Sequence, residues 1–91
     1  MSDEPYELVV AGPAARAIAD ELPEAVAAAV VELLTGALTE NPRRVGRELH
    51  NELAGIMSAR RGTFRILYRI DEDRHEVIVL RVEHRRDVYR S

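Results

Sequence analysis

Phe64-Arg65-Ile66-Leu67-Tyr68-Arg69-Ile70 is the stretch on which the fold turns. Phe64, Ile66, Tyr68 and Ile70 alternate with Arg65, Leu67 and Arg69, the period-two pattern of a strand with one face on a core. If the aromatic and aliphatic set faces inward, Arg65 and Arg69 project from the opposite face. Asp71-Glu72-Asp73-Arg74 then reads as a polar turn, and Val77 to Val82 as a β-rich return strand, giving an antiparallel hairpin. In that return strand the reading puts Ile78, Leu80 and Val82 in the core and Arg81 and Glu83 outside. Arg85 follows just past the strand end with the same parity. Upstream, Ile56, Ser58 and Arg60 make a weaker strand, ended by the turn Arg61-Gly62-Thr63.

Working back to the N-terminus, Tyr6, Leu8 and Val10 predict a first strand before the Gly12–Pro13 break. Ala14 to Leu22 predicts a short helix. Pro23 suits the start of a second, with Glu24 in its favourable first turn. Val26, Val30, Leu33, Leu34 and Leu38 follow helical spacing, so this helix is expected to run to about Thr39 and stop at Asn41–Pro42. Arg43 to Gly46 reads as loop, and Glu48 to Glu52 as loop or a helical turn. The sum is βααβββ: an α+β fold with a small, mainly antiparallel sheet and an N-terminal helical hairpin on one face, spanning residues 1–91 as a single domain.

Composition narrows the function classes. The chain has no cysteine, which excludes disulfides, thiolate metal sites and cysteine nucleophiles. His50, His75 and His84 are too scattered to suggest a metal site, so no metal or cofactor is expected. The acidic start MSDEPYE and the short apolar run Ala25–Val31 predict neither a signal peptide nor a membrane span, and hence a cytoplasmic protein. The net charge of −3 conceals an asymmetry. Residues 1–40 balance to −7, residues 41–70 to +5 and residues 71–91 to −1. All thirteen basic residues are arginine, whose planar fork matches phosphate and carboxylate. A locally positive surface steers an anionic partner even when the whole chain is acidic.

Arg65, Arg81 and Arg85 share one predicted face and form a candidate phosphate clamp. Glu76 and Glu83 lie on the same stretch and offer an alternative, a solvated face of salt bridges. His84-Arg85-Arg86-Asp87-Val88-Tyr89-Arg90 adds an imidazole and a phenol to clustered guanidiniums. Histidine exchanges protons near neutrality, and neighbouring cations stabilise a phenolate. Cleaving RNA without a metal needs a base for the 2′-hydroxyl, cations for the phosphate and an acid for the departing 5′-oxygen. The arginines suit the middle task. His84, Tyr89 and Glu52 are the candidates for the outer two, and spacing does not divide the work among them.

The order of these segments resembles the RelE/ParE superfamily of bacterial toxins over nearly the whole chain. The likeness runs through Asn41–Pro42 and Leu49-His50-Asn51-Glu52-Leu53-Ala54-Gly55. It continues in Ser58-Ala59-Arg60-Arg61-Gly62-Thr63-Phe64-Arg65-Ile66-Leu67-Tyr68 and closes with His84-Arg85-Arg86-Asp87-Val88-Tyr89. The resemblance implies a toxin of a type II toxin–antitoxin system, most like the RelE-type messenger RNA interferases. These are endoribonucleases that enter the A site of the 70S ribosome and cut translated mRNA by 2′-hydroxyl attack. It further implies a cognate antitoxin and a hetero-oligomer with it, with no cofactor. Carried over by position, Arg65, Arg85, His84 and Tyr89 are the catalytic candidates, and Arg60, Arg61, Arg65, Arg81 and Arg85 the phosphate-binding set. The alternative is a ParE-like toxin that inhibits DNA gyrase without cutting RNA. Two departures bear on that choice. The best-known ribonuclease branch has two lysines where this chain has Ile56 and Ser58, and another branch has a catalytic glutamate where this chain has Arg47.

Overall fold

The computed structural model describes residues 4–84, apart from the side chain of Glu52. Among these residues one sheet contains β1 (Glu7–Val10), β2 (Arg47–Glu48), β3 (Met57–Arg61), β4 (Phe64–Asp71) and β5 (Glu76–His84), in the spatial order β1-β5-β4-β3-β2. Strands β2 to β5 pair antiparallel and β1 joins β5 in parallel. The helical layer intervenes between β1 and the rest of the sheet, as a parallel connection requires. It comprises α1 (Gly12–Arg16), which runs into a π-type segment at Ala17–Glu21, then α2 (Glu24–Thr35), α3 (Ala37–Glu40) and α4 (Pro42–Val45). The α+β class, the helical hairpin and the mainly antiparallel sheet are therefore as the sequence predicts.

Four local expectations are corrected. The second helix does not run unbroken to Thr39: Gly36 adopts φ −117°, ψ −100° and separates α2 from α3. Glycine is a common site for such a break. The segment read as loop at Arg43–Gly46 contains the single turn α4, begun by Pro42, which loses nothing at a helix start because its missing N–H would be unpaired there anyway. Arg47–Glu48 then adds a fifth strand to β3.

The return strand carries the fourth correction. Val77, Val79 and Val82 are buried, whereas Ile78 and Leu80 are only partly so. Leu67 pairs with Arg81 while Tyr68 pairs with Val79, which leaves Leu80 as the extra residue of a bulge. A bulge reverses inside and outside along one strand, so no single alternation describes β5. Arg81 and Glu83 beyond the bulge still face outward, as expected.

Val30, Leu34 and Leu38 from the helices meet Met57, Ala59, Phe64, Ile66, Tyr68, Val77, Val79 and Val82 from the sheet. The turn between β3 and β4 is two residues long, and Gly62 at φ +56° supplies the left-handed backbone that such a hairpin needs. At the opposite end, the turn between β4 and β5 is tied to the N-terminus and to α4. Arg43 donates to Glu72 Oε2 through Nε at 3.1 Å and Nη2 at 2.7 Å, and the Tyr6 hydroxyl donates to Oε1 at 2.8 Å. Tyr6 also stacks on His75 with ring centroids 3.9 Å apart.

Hydrogen bonds from Arg43, then from Tyr6, hold the Glu72 carboxyl below its usual range. Its contribution to stability is present above the ordinary carboxylate pKa and is lost as pH falls through the depressed value. Glu72→Gln should therefore melt below wild type near neutrality, with the gap closing in acid. Thermal melts of both proteins across the acidic range check this.

Candidate nucleic-acid interface

A concave surface of about 520 Å³ opens where α4, β2 and β3 meet the start of β4. Its basic residues are Arg44 from α4, Arg47 from β2, Arg60 and Arg61 from β3, and Arg65 from β4, and no carboxylate among the described residues lines it. The register explains the clustering. Arg47 pairs with Ser58, Ser58 with Leu67 and Leu67 with Arg81; the next outward row is Arg60, Arg65 and Glu83. Both rows lie on the face turned away from the buried set Met57, Ala59, Ile66 and Tyr68.

Arg60 and Arg65 are thus direct cross-strand partners of like charge, an arrangement that weakens a sheet unless an anion sits nearby. Glu83 answers part of that charge. It accepts from Arg65 Nε at 3.0 Å and also from Arg65 Nη2 through the same oxygen, Oε1. Arg61 spends its guanidinium on carbonyls, donating to Arg60 O at 2.8 Å and to Val45 O at 3.4 Å, which links α4 to β3. Arg44, Arg47 and Arg60 make no ion pair among the described residues.

The wall carrying Arg44 and Arg47 is fastened from below. Tyr68 is fully buried and donates its hydroxyl to Pro42 O at 2.6 Å. Gly46 crosses so close to the sheet that a β-carbon there would stand 2.5 Å from Ser58 O and 2.6 Å from the Tyr68 hydroxyl. Burial pushes the Tyr68 phenol up to about 12, partly offset by hydrogen bonding to the Gly46 backbone and by the charge of Arg61. Tyr68 thus stabilises the fold fully below the ordinary phenol value of 10.0, and that contribution is lost as pH rises to about 12. Tyr68→Phe leaves the Pro42 carbonyl without its donor and should cost about 1–3 kcal/mol at neutral pH. Denaturant unfolding should show that difference from wild type shrinking as the solution becomes strongly alkaline.

Of the residues singled out from sequence, Arg60, Arg61 and Arg65 are brought together in the cleft. Arg81 is exposed on the same outer face, two register pairs along from Arg65, but does not line the cleft. His84 is half-buried and pairs with Phe64, whose side chain is in the core, so the pleat places His84 on the helix side, opposite Arg65. Arg85 and Tyr89 lie outside the described residues, as does the side chain of Glu52. Arg44 and Arg47, which also line the cleft, were not among the residues singled out from sequence. The positive balance of residues 41–70 was their signal, but only the α4 turn and strand β2 bring them to Arg60 and Arg65.

Comparison with known proteins gives the same assignment from several directions. A family model described as the ParE toxin of the type II toxin–antitoxin system parDE matches residues 7–89. The Mycobacterium tuberculosis toxin RelG is 56% identical over 70 residues, which is 77% of this chain and 80% of that protein. Toxin RelE of the same organism is 43% identical over 88 residues, 97% of this chain and 90% of that one. Among solved structures, the toxin–antitoxin complex RelBE2 from Mycobacterium tuberculosis superposes with a TM-score of 0.86 at 49% identity, covering 90% of this chain and 100% of the matched chain. The isolated E. coli RelE toxin shares the fold, with a TM-score of 0.72 at 18% identity over 87% of this chain and 83% of that one. The chain belongs to the ParE toxin family of type II toxin–antitoxin systems, within the RelE/ParE superfamily.

Proposed function

We propose that this toxin is a ribosome-dependent, metal-independent endoribonuclease that cuts translated mRNA through attack of a 2′-hydroxyl on the adjacent phosphorus. The observation that carries the reading is the cleft, free of carboxylates among the described residues, in which Arg60 and Arg65 oppose each other across β3 and β4. Preorganised cations there favour an anion that gains charge, as a phosphate does on the way to a 2′,3′-cyclic product. Arg60, Arg61 and Arg65 grip the scissile and neighbouring phosphates, with Arg81 and Arg85 extending the path. Tyr89 is assigned proton transfer at the ribose oxygens, because His84, on the helix side opposite Arg65, is turned away from the cleft. Arg47 supports the reading at the weakest point of the resemblance. It pairs with Ser58, one of the two positions where the ribonuclease branch has lysine, so a cation from the neighbouring strand stands beside the missing one.

The ribosome orders the mRNA in the A site, and a cognate antitoxin covers the toxin in a hetero-oligomer. The solved relatives RelBE2 of Mycobacterium tuberculosis and RelBE of E. coli are such toxin–antitoxin complexes. The matching family model also carries the ParE description, which keeps gyrase inhibition as the second reading.

Mapping RNA 5′ ends after brief induction of wild type, Arg65→Ala and Arg85→Ala in a bacterial host tests the choice. New ends within translated frames, absent from both variants, are expected. Growth arrest without new RNA ends would reject the nuclease and favour gyrase. Neither arrest nor cleavage from correctly folded protein would leave a member that only binds its antitoxin.

A further inference from the structure

We infer that Glu83 is a positioning residue of the phosphate grip: it holds the Arg65 guanidinium by one edge and leaves the other edge free for the RNA phosphate. This deepens the nuclease reading and rests on it. A guanidinium presents two edges to oxyanions, one formed by Nε and Nη2 and one by Nη1 and Nη2. Glu83 uses only the first, because the donors are Nε and Nη2, and both bonds go to the single oxygen Oε1. Among the described residues no hydrogen bond takes up the second edge, which keeps its forked pair of N–H groups for a phosphate, and Arg65 belongs to the cleft lining.

The placement is built into the strands. Glu83 is the register partner of Arg65 on β5, just as Arg60 is its partner on β3, so the three side chains form one row across the sheet. Glu83 stands on the side of Arg65 remote from Arg60. It fixes the fork without occupying the space between the two arginines, where a phosphate would bridge them. Both members of the pair are partly shielded, with side-chain exposures of 39% for Arg65 and 27% for Glu83. An arginine has several soft torsions, and fixing one edge removes much of the freedom that a productive hydrogen bond would otherwise have to remove. Glu83 also offsets part of the Arg60–Arg65 repulsion in the free protein, so the grip is preformed.

A carboxylate that merely competes with RNA would act in the opposite sense, and the two roles separate kinetically. The test uses full-length wild type, Glu83→Gln, Glu83→Ala and Glu83→Asp, with programmed ribosomes carrying a defined mRNA and single-turnover cleavage measured against toxin concentration. Glu83→Gln and Glu83→Ala should lower the rate at saturation by roughly 10–100-fold, as loss of orientation does. The half-saturating concentration should stay unchanged or fall, because the cleft becomes more positive. Glu83→Asp, which keeps the charge on a shorter arm, should recover part of the rate. A second readout needs no cleavage: the side-chain Nε–H signal of Arg65 in ¹⁵N NMR of the free protein should shift and exchange faster with water in Glu83→Gln.

Cleavage by Glu83→Gln at or above the wild-type rate would overturn the inference and leave the nuclease reading intact. If wild type cuts no RNA, the nuclease reading fails and the NMR readout decides alone. An unchanged Arg65 signal in Glu83→Gln would then overturn the inference, and a shifted, faster-exchanging one would uphold the orienting contact.

Discussion

Arg65→Ala should reduce cleavage of ribosome-bound mRNA by roughly 10²–10³-fold, the usual consequence of deleting one charge-stabilising donor from a preorganised site. The loss belongs to the chemical step, because Arg44, Arg47, Arg60 and Arg61 remain to attract the RNA. Binding at moderate salt should therefore weaken far less than turnover. Arg65→Lys should not restore the rate, since the donors of an ammonium radiate from one atom and give no second planar fork for a phosphate. The fold should survive. Removing a partly exposed ion pair costs about 0–1 kcal/mol, and the Phe64, Ile66 and Tyr68 side chains of β4 are untouched. Single-turnover cleavage beside a thermal melt of the same preparation separates the two effects. A variant that melts normally and cuts normally would remove Arg65 from the mechanism.

Gly46→Ala should lower the melting temperature by roughly 10–20 °C, from an overpacking cost of about 2–3 kcal/mol in a domain of this size. The reason is space and not backbone conformation. Gly46 sits at φ −131°, ψ −170°, an extended geometry open to any residue. Its missing side chain would meet a backbone carbonyl of β3 and the hydroxyl of fully buried Tyr68, and neither can retreat without disturbing the sheet. The chain from Pro42 to Arg47 would have to lift, which breaks the Tyr68–Pro42 hydrogen bond and carries Arg44 and Arg47 away from Arg60 and Arg65. Cleavage should fall along with stability, unlike in Arg65→Ala. Differential scanning calorimetry checks the shift, and a wild-type melting point would show that the crossing of Gly46 over β3 is looser than described.

The period-two alternation of Phe64 to Ile70 determined by itself that there is a sheet with one buried and one arginine-bearing face, because a strand's pleat is a local property. Helical spacing at Val30, Leu34 and Leu38 likewise announced the helices that cover it. Arg65 was legible as an outward-facing candidate for the same local reason, whereas Arg60 and Arg61 entered the candidate set through the resemblance. What failed was whatever depended on a distant neighbour. The β5 alternation broke at Leu80 because burying both Val79 and Val82 against Tyr68 and Ile66 requires one extra residue, a demand set by β4. His84 was grouped with the arginines by sequence proximity, and the register put it on the opposite face.

Arg44 and Arg47 lie 16 and 13 positions before Arg60 along the chain, in or next to a segment that read as loop. Only the tertiary structure made them part of the cleft. A phenol hydrogen-bonded to a carbonyl 26 residues away, and a glycine thin enough to pass over β3, bring that wall down beside the sheet. The sequence thus determined the arginines, the alternation and the family. The choice of which arginines form a site, and which carboxylate orients one of them, was left to cross-strand register and buried packing, because these are set by contacts between segments and not within them.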